Sequence, residues 1–191
     1  LSTDSLKGYG INRIFELVKE AGLDGLDIAI DPKNYDTLNS AYLKKLSEEH
    51  GLPIVSLQAA PNASHSQILE TVEEAKIIGV NIIIIQPPKI TNIRQTQWIR
   101  NQIPKIRKRE NLSIALENAS PETYLGFIPK RAMSSLIELR RFKHVCIDTS
   151  RLAEKKEDII RVYGLLKDYI VHIHLSNVFR RQSYALPMKG V

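Results

Sequence analysis

The sequence predicts an α/β fold of the parallel (β/α)8-barrel type, in which strands and helices alternate along the chain. Six short apolar segments of strand length end near positions 30, 58, 86, 117, 148 and 175. Their ends are about 30 residues apart, which is the length of one strand-plus-helix unit. The segments between them carry apolar residues at helical spacing and no hairpin signal, so we expect the strands to run parallel.

The strands are predicted from runs of β-branched and other apolar residues. The run of isoleucines at 82–85 is typical of a strand that is buried on both faces. The predicted strands span residues 25–30, 53–58, 81–86, 112–117, 143–148 and 170–175, and residues 1–3 are expected to be the end of a first strand.

The helices are predicted from apolar residues that recur at helical spacing, and glycine follows the first three of them as a C-terminal stop. Ser120-Pro121 is typical of an N-cap followed by proline at the first helical position. Pro104 is expected to interrupt or kink its helix. The predicted helices span residues 11–21, 36–50, 65–78, 94–109, 129–141 and 153–168.

The length of the chain suggests one domain. The 191 residues contain no linker and no low-complexity segment, so we expect a single barrel domain over residues 1–191. Seven strands are predicted, whereas a closed TIM-type barrel has eight. Since the sequence ends at Val191, where an eighth strand is due, we expect a barrel that lacks strand 8 or is truncated before it.

The composition is that of a water-soluble protein. The hydrophobic content of 43% suits a sizeable core, and the apolar runs are far shorter than a membrane span. The single cysteine, Cys146, suits a reducing compartment and is expected to pack in the core. Without a signal pattern at the N-terminus, the protein is expected to be cytoplasmic, with no membrane partner. Homo-oligomer formation stays open.

The formal net charge is +6, and basic residues cluster at positions 100–109, 130–143 and 180–181. Such clusters can bind an anionic partner such as nucleic acid. They can also be the solvated faces of amphipathic helices. The second interpretation is favoured, because the first cluster lies among Ile99, Ile103 and Ile106.

Three consecutive predicted strands end in side chains that bind metals: Glu117, Asp148 and His174. The carboxyl ends of parallel strands meet at one face, where α/β proteins bind their ligands. Two carboxylates and an imidazole can hold Mn²⁺, Mg²⁺ or Zn²⁺ and leave positions open for substrate oxygens. We therefore predict a site for one divalent metal ion, whose identity stays open.

Several further residues are expected to bind substrate. His172 lies on the same strand face as His174 and is expected to be a buried hydrogen-bonding residue beside the substrate. Arg151 and Arg180 follow two of the strand ends, and guanidinium groups suit a phosphate or carboxylate. Lys89 is expected to assist them. Surface charge is the alternative explanation for these cations.

These motifs resemble the xylose isomerase-like TIM barrel superfamily over nearly the whole chain. That superfamily contains sugar and sugar-phosphate isomerases and epimerases, and also endonuclease IV. The resemblance is carried by Leu116-Glu117-Asn118, Ile147-Asp148, the segment 172–177 (HIHLSN), the segment 21–27 (AGLDGLD) and the segment 77–81 (IIGVN).

The resemblance implies that Glu117, Asp148 and His174 are ligands of the metal ion. In the epimerases of that superfamily, a glutamate on strand eight is a fourth ligand and also the acid/base catalyst. In this sequence Glu117 is the candidate proton-transferring carboxylate, and a strand-eight glutamate is its expected partner. We therefore predict a metal-dependent isomerase or epimerase that converts a small sugar or sugar phosphate through an enediolate. The alternatives are an endonuclease IV-like protein that binds or repairs DNA, and a degenerate barrel without catalytic activity.

The sequence departs from the family pattern at four positions. Arg151 stands where the family often has histidine, and Asn177 where it often has aspartate. Gln58 and Gln86 stand where endonuclease IV has histidines that bind zinc, and glutamine is a poor zinc ligand. These departures argue against a trinuclear zinc nuclease site.

Overall fold

The structure, a computed structural model, describes residues 1–179 and 182–185, with side chains as far as Ser176. The chain divides into two compact units, Leu1–Ile85 and a second unit that begins at Gln86. In the described part of the chain, no helix is long and apolar enough to cross a membrane.

Strands and helices alternate in both units, as the sequence predicts. The strands are β1 (Leu26–Ala29), β2 (Ile54–Gln58), β3 (Ile82–Ile85), β4 (Ser113–Glu117), β5 (Thr123–Tyr124), β6 (Ile128–Pro129), β7 (Val145–Asp148), β8 (Ile170–His174), β9 (Asn177–Phe179) and β10 (Gln182–Ala185). The α-helices are α1 (Ile11–Glu20), α2 (Tyr35–Leu38), α3 (Ser40–His50), α4 (His65–Ile78), α5 (Ile93–Glu110), α6 (Leu136–Phe142), α7 (Thr149–Glu154) and α8 (Ile159–Leu166). Short 3₁₀ helices span Thr3–Leu6 and Lys167–Tyr169.

In the first unit, β1 pairs with β2 and β2 pairs with β3, and both pairs are parallel. The predicted first strand is reduced to one parallel bridge between Ser2 and Asp27, followed by a 3₁₀ helix. Gly25 allows close approach to the segment before β2, because a Cβ atom there would lie 2.7 Å from the carbonyl oxygen of Pro53. Hence only glycine fits this position without a backbone shift.

In the second unit, β7 lies between β4 and β8 and pairs with both in parallel. The strands β4 and β7 are almost wholly buried, so they contribute the core of this unit. The short pairs β5–β6 and β9–β10 are antiparallel. The sequence shows no hairpin signal for either pair, and the structure corrects that expectation.

Arg107 is the exception to the predicted solvated face of α5, because it is buried. Its Nε and Nη2 donate to the Ile114 carbonyl oxygen at 2.9 and 2.5 Å, and its Nη1 donates to the Phe142 carbonyl oxygen at 2.7 Å. The guanidinium carbon lies 4.0 Å from the centroid of the Phe142 ring. Burial lowers the pKa of Arg107 to about 9, so the group is still charged at neutral pH. It thereby fastens α5 to β4 and to the end of α6.

The predicted helix over residues 129–141 is wrong in its first half. No helix begins at Ser120-Pro121, and the helix α6 starts only at Leu136. Ser135 caps it, because its Oγ accepts from the Glu138 amide while the Glu138 carboxylate accepts from the Ser135 amide. This capping box decides where the helix starts, and the apolar spacing before it belongs to a loop and the β5–β6 pair.

Other boundaries differ because side chains cap helices inside the predicted spans. Asn39 accepts a hydrogen bond from the Tyr42 amide at 3.0 Å and so divides the predicted 36–50 helix into α2 and α3. Asp158 does the same before α8 and divides the predicted 153–168 helix. In contrast, α5 continues through Pro104 as one helix.

Glu74 on α4 is expected to make the stability of the protein depend on pH. Partial burial, followed by repulsion from Glu70, raises the pKa of its carboxyl group from 4.5 to about 7. Because the folded state holds this proton more tightly, the stabilisation is present below pH 4.5 and is lost as the pH rises to about 7. Compared with Glu74→Gln, we expect the wild type to lose about 1 kcal/mol over that range, allowing for solvent screening.

Urea unfolding of both proteins at pH 4.5, 6 and 8 measures this difference. Glu73→Gln is the control, since Glu73 is exposed and pairs with Lys76. A wild type that gains stability relative to Glu74→Gln as the pH rises would contradict the raised pKa.

Candidate metal and acid–base site

The three predicted metal-binding residues lie at the carboxyl-terminal ends of the parallel strands of the second unit. Glu117 ends β4, Asp148 ends β7 and His174 ends β8. In the strand register, Asp148 lies opposite His174, and Glu117 lies opposite Cys146. The three side chains therefore lie at the same edge of the sheet, the one formed by the carboxyl ends of β4, β7 and β8, as the sequence predicts.

Glu117 and His174 are in direct contact. The Oε1 atom of Glu117 lies 2.8 Å from Nδ1 of His174. Glu117 is 1% exposed, and His174 is half-buried. With an ionised Glu117, the proton of the imidazole lies on Nδ1 and is donated to the carboxylate. A buried carboxylate thus fixes the orientation of the histidine ring.

Cys146 joins this pair. One ligand atom each from Glu117, Cys146 and His174 can be chosen so that all three lie within 4.8 Å of one another. Cys146 is fully buried in the core, as expected of a packing residue, and its thiol is also a possible donor beside the other two groups. Cys146 lies two residues before Asp148, and alternate residues share one face of a strand. This spacing was the sequence signal that could have placed the thiol beside the site.

Asp148 is placed mainly as the N-cap of α7. Its Oδ1 accepts from the amide and the hydroxyl of Ser150 at 2.9 and 2.6 Å, and from the hydroxyl of Ser176 at 3.3 Å. Among the described residues, it does not belong to the group that Glu117, Cys146 and His174 form. Its role as a metal ligand stays a prediction.

Arg151 links the two carboxylates. Its Nη1 lies 2.5 Å from Oε2 of Glu117, and its Nε lies 3.2 Å from Oδ2 of Asp148. The same Nη1 donates to the carbonyl oxygen of Asn118 at 2.9 Å. The side chain of Arg151 is 15% exposed, whereas those of Glu117 and Asp148 are 1% and 2% exposed. The guanidinium thus contacts both buried carboxylates and balances one of their two negative charges.

Asn118 connects the ends of β4 and β7 through its side chain. Its Oδ1 accepts from the Asp148 amide at 2.6 Å, and its Nδ2 donates to the Asp148 carbonyl oxygen at 3.1 Å. The side-chain amide thus satisfies both backbone groups of Asp148, as a neighbouring strand would. This residue was part of the sequence motif, but its contact with Asp148 was not predicted.

A cleft of about 300 Å³ lies beside the carboxylates, and its lining includes Pro87, Ser120, Arg131 and Arg151. Arg131 also donates to the Pro87 carbonyl oxygen at 3.1 Å, which holds the two segments of the cleft wall together. Two guanidinium groups, of Arg131 and Arg151, and two carboxylates, of Glu122 and Glu154, line the cleft, so it is polar and of mixed charge.

The remaining predicted substrate residues have different positions. The His172 ring contacts His174 edge to face, with the ring centroids 5.0 Å apart. Lys89 is exposed and forms an isolated antiparallel bridge with Arg131, which is one of the residues that line the cleft. Arg180 lies outside the described residues. The substrate-binding role of all three stays a prediction.

Comparison with solved structures shows the fold. The chain is similar to the IOLI protein with a bound zinc atom, with a TM-score of 0.72 and 14% identity over 94% of this chain and 72% of that one. It is similar to 3-keto-D-glucoside 4-epimerase, YcjR, from E. coli, with a TM-score of 0.68 and 15% identity over 90% of this chain and 76% of that one. It is also similar to endonuclease IV from Thermus thermophilus, with a TM-score of 0.62 and 16% identity over 100% of this chain and 81% of that one.

The fold is therefore that of a partial TIM-type α/β barrel of the xylose isomerase-like kind, as the sequence predicts. No protein-family model matches the chain. A search of curated proteins also found no match.

Proposed function

We propose that the protein is a divalent-metal-dependent isomerase or epimerase of a small sugar or sugar phosphate. The observation that carries this proposal is the buried contact between Glu117 and His174 at the ends of β4 and β8. It is supported by the likeness of the fold to that of a sugar epimerase and of a zinc-binding protein.

The proposed metal ligands are Glu117, Asp148 and His174, and the structure adds Cys146 as a further donor within reach. Carboxylate, imidazole and thiolate groups together suit a first-row divalent ion, and the thiolate favours zinc. A bound ion would supply Lewis-acid polarisation of the substrate carbonyl.

The proposed acid/base residue is Glu117. Its carboxylate would take the proton from the carbon next to the substrate carbonyl, which gives an enediolate. An isomerase would return the proton to the neighbouring carbon, and an epimerase would return it to the opposite face of the same carbon. His174 holds this carboxylate through Nδ1 and so orients it. Arg151 and Arg131 in the cleft, with Arg180, Lys89 and His172 as further candidates, would bind the anionic end and the hydroxyl groups of the substrate.

Solvent exchange tests the proposal. The metal-loaded protein is incubated in D₂O with a panel of ketoses and their phosphates. Proton NMR follows the signal of the hydrogen on the carbon next to the carbonyl. We expect loss of this signal with at least one substrate. A folded, metal-bound protein that exchanges none of them would count against isomerase activity and favour a degenerate barrel.

Cys146→Ser is expected to lower the affinity for Zn²⁺ by at least about tenfold and to change the affinity for Mn²⁺ much less, because thiolate is a soft ligand that favours zinc. Competition with a chromophoric chelator measures the Zn²⁺ affinity, and electron paramagnetic resonance measures bound Mn²⁺. Asp148→Asn is the comparison. If Asp148→Asn loses Zn²⁺ affinity and Cys146→Ser does not, the ligands are Glu117, Asp148 and His174, and Cys146 is not one of them.

DNA binding is the second candidate, favoured by the net charge of +6 and by the likeness to the fold of endonuclease IV. Phosphate contacts would make the logarithm of the affinity for abasic duplex DNA fall steeply with the logarithm of the salt concentration. Undetectable binding at low salt would remove this candidate.

A further inference from the structure

One arginine contacts both of the carboxylates that are predicted to bind a divalent ion. Arg151 reaches Oε2 of Glu117 with Nη1 at 2.5 Å and Oδ2 of Asp148 with Nε at 3.2 Å. These carboxylates lie at the ends of neighbouring strands, β4 and β7. A single cation therefore bridges two strand ends that are expected to share a divalent ion.

The contacts of Arg151 with Glu117 and Asp148 offset the unfavourable burial of negative charge. Two carboxylates that are 1% and 2% exposed require a positive charge nearby, since an uncompensated buried charge is strongly unfavourable. Arginine suits this task better than lysine, because its planar group presents several N–H donors in fixed directions. With Arg151 in place, one of the two negative charges is balanced without a metal.

The position of Arg151 is fixed by local structure. The helix α7 begins at Thr149, directly after β7, so Arg151 falls in its first turn, beside its N-cap Asp148. The contact from Nη1 to the carbonyl oxygen of Asn118 at 2.9 Å adds a third anchor. The guanidinium is thus held by both strand ends, and it also forms part of the cleft wall.

We propose that Arg151 is the resident counter-ion of Glu117 and Asp148 and sets the metal affinity of the site. This inference rests on the proposed function, because it assumes that the same carboxylates bind a divalent ion. A divalent ion held by Glu117 would compete with the guanidinium for the same buried negative charge. The positive charge of Arg151 therefore opposes binding of the ion, and removing that charge raises the affinity of the site for a cation.

Isothermal titration calorimetry with Mn²⁺ and chelator competition with Zn²⁺ test the proposal on three proteins: wild type, Arg151→Gln and Arg161→Gln. The last variant is the matched control, since Arg161 is exposed and its replacement changes the net charge by the same amount. We expect Arg151→Gln to bind both ions on the order of tenfold more tightly than the wild type, because it removes a competing charge. Arg161→Gln should match the wild type.

A thermal melt of each protein, with and without the ion, keeps the test valid if Arg151→Gln is unstable. We expect the metal-free variant to melt below the wild type and the ion to raise its Tm more than it raises that of the wild type. Arg151→Lys keeps one charge without the two-strand bridge, so its affinity should be intermediate.

Two outcomes would overturn the proposal, and they differ. Equal or weaker binding by Arg151→Gln, with measurable binding by the wild type, would reject the role of Arg151 alone. Undetectable binding by every variant would also reject the metal site, and with it the proposed function.

Discussion

Glu117→Gln is expected to lower the affinity for Mn²⁺ or Zn²⁺ by at least about 100-fold, more than the effect typical of residues that only support a metal ligand. The substitution removes the negative charge that a cation requires, and it keeps the size of the side chain. The same change removes the proposed proton-transferring group. Proton exchange in D₂O should therefore fall below detection even at saturating metal. Calorimetry and NMR measure the two effects separately.

The matched control is Glu122→Gln, because Glu122 lines the neighbouring cleft but is exposed and pairs only loosely with Lys130, at 3.5 Å. This control should keep the metal affinity of the wild type. Circular dichroism must show that Glu117→Gln is folded. If that folded variant still bound the ion as tightly as the wild type, Glu117 would not be a ligand.

Arg107→Met is expected to lower the free energy of unfolding by about 3–5 kcal/mol, the range typical of removing one partner from a buried charged contact. The methionine fills part of the space but donates no hydrogen bond. The carbonyl oxygens of Ile114 and Phe142 would then be buried without their donors, which costs about 1–3 kcal/mol for each group. Urea unfolding at neutral pH measures the change.

Arg109→Met is the control for helix propensity and charge, because Arg109 is an exposed residue on the same helix. Its effect should stay within about 0.5 kcal/mol, as for most surface substitutions. Arg107→Lys keeps the charge but cannot donate to both carbonyl oxygens in the same way, so it should be destabilising too. A loss in Arg107→Met no larger than that in Arg109→Met would mean that the buried contacts contribute little.

The sequence predicted the strands well because their signal is local. An apolar run of strand length followed by a polar residue marks β4 and β7 to within two residues, and the repeat length then places their ends at one edge. The contact between Glu117 and His174, which are 57 positions apart, follows from this repeat alone. In this way the pattern of strand ends is sufficient to bring two of the proposed ligands together.

The contacts of arginine could not be predicted in the same way. Arg107 and Arg109 look alike in the sequence, yet one is buried and the other is exposed. The partner of Arg107 on Phe142 is 35 positions away, and no local pattern encodes that distance. Likewise, Arg151 reaches Glu117 only because α7 starts without an intervening loop after β7.

The side chain of Asn118 has a consequence for how the chain finds its fold. A parallel strand that slips by one residue still makes backbone hydrogen bonds, but it turns every side chain to the opposite face. The amide of Asn118 accepts from the nitrogen and donates to the oxygen of the same residue, Asp148, and a slipped β7 would offer it a different residue. A chain in which β7 has slipped by one residue would lose both of these hydrogen bonds and would place Ile147 at the position of Asp148. The two hydrogen bonds of Asn118 therefore favour the native register of β4 and β7.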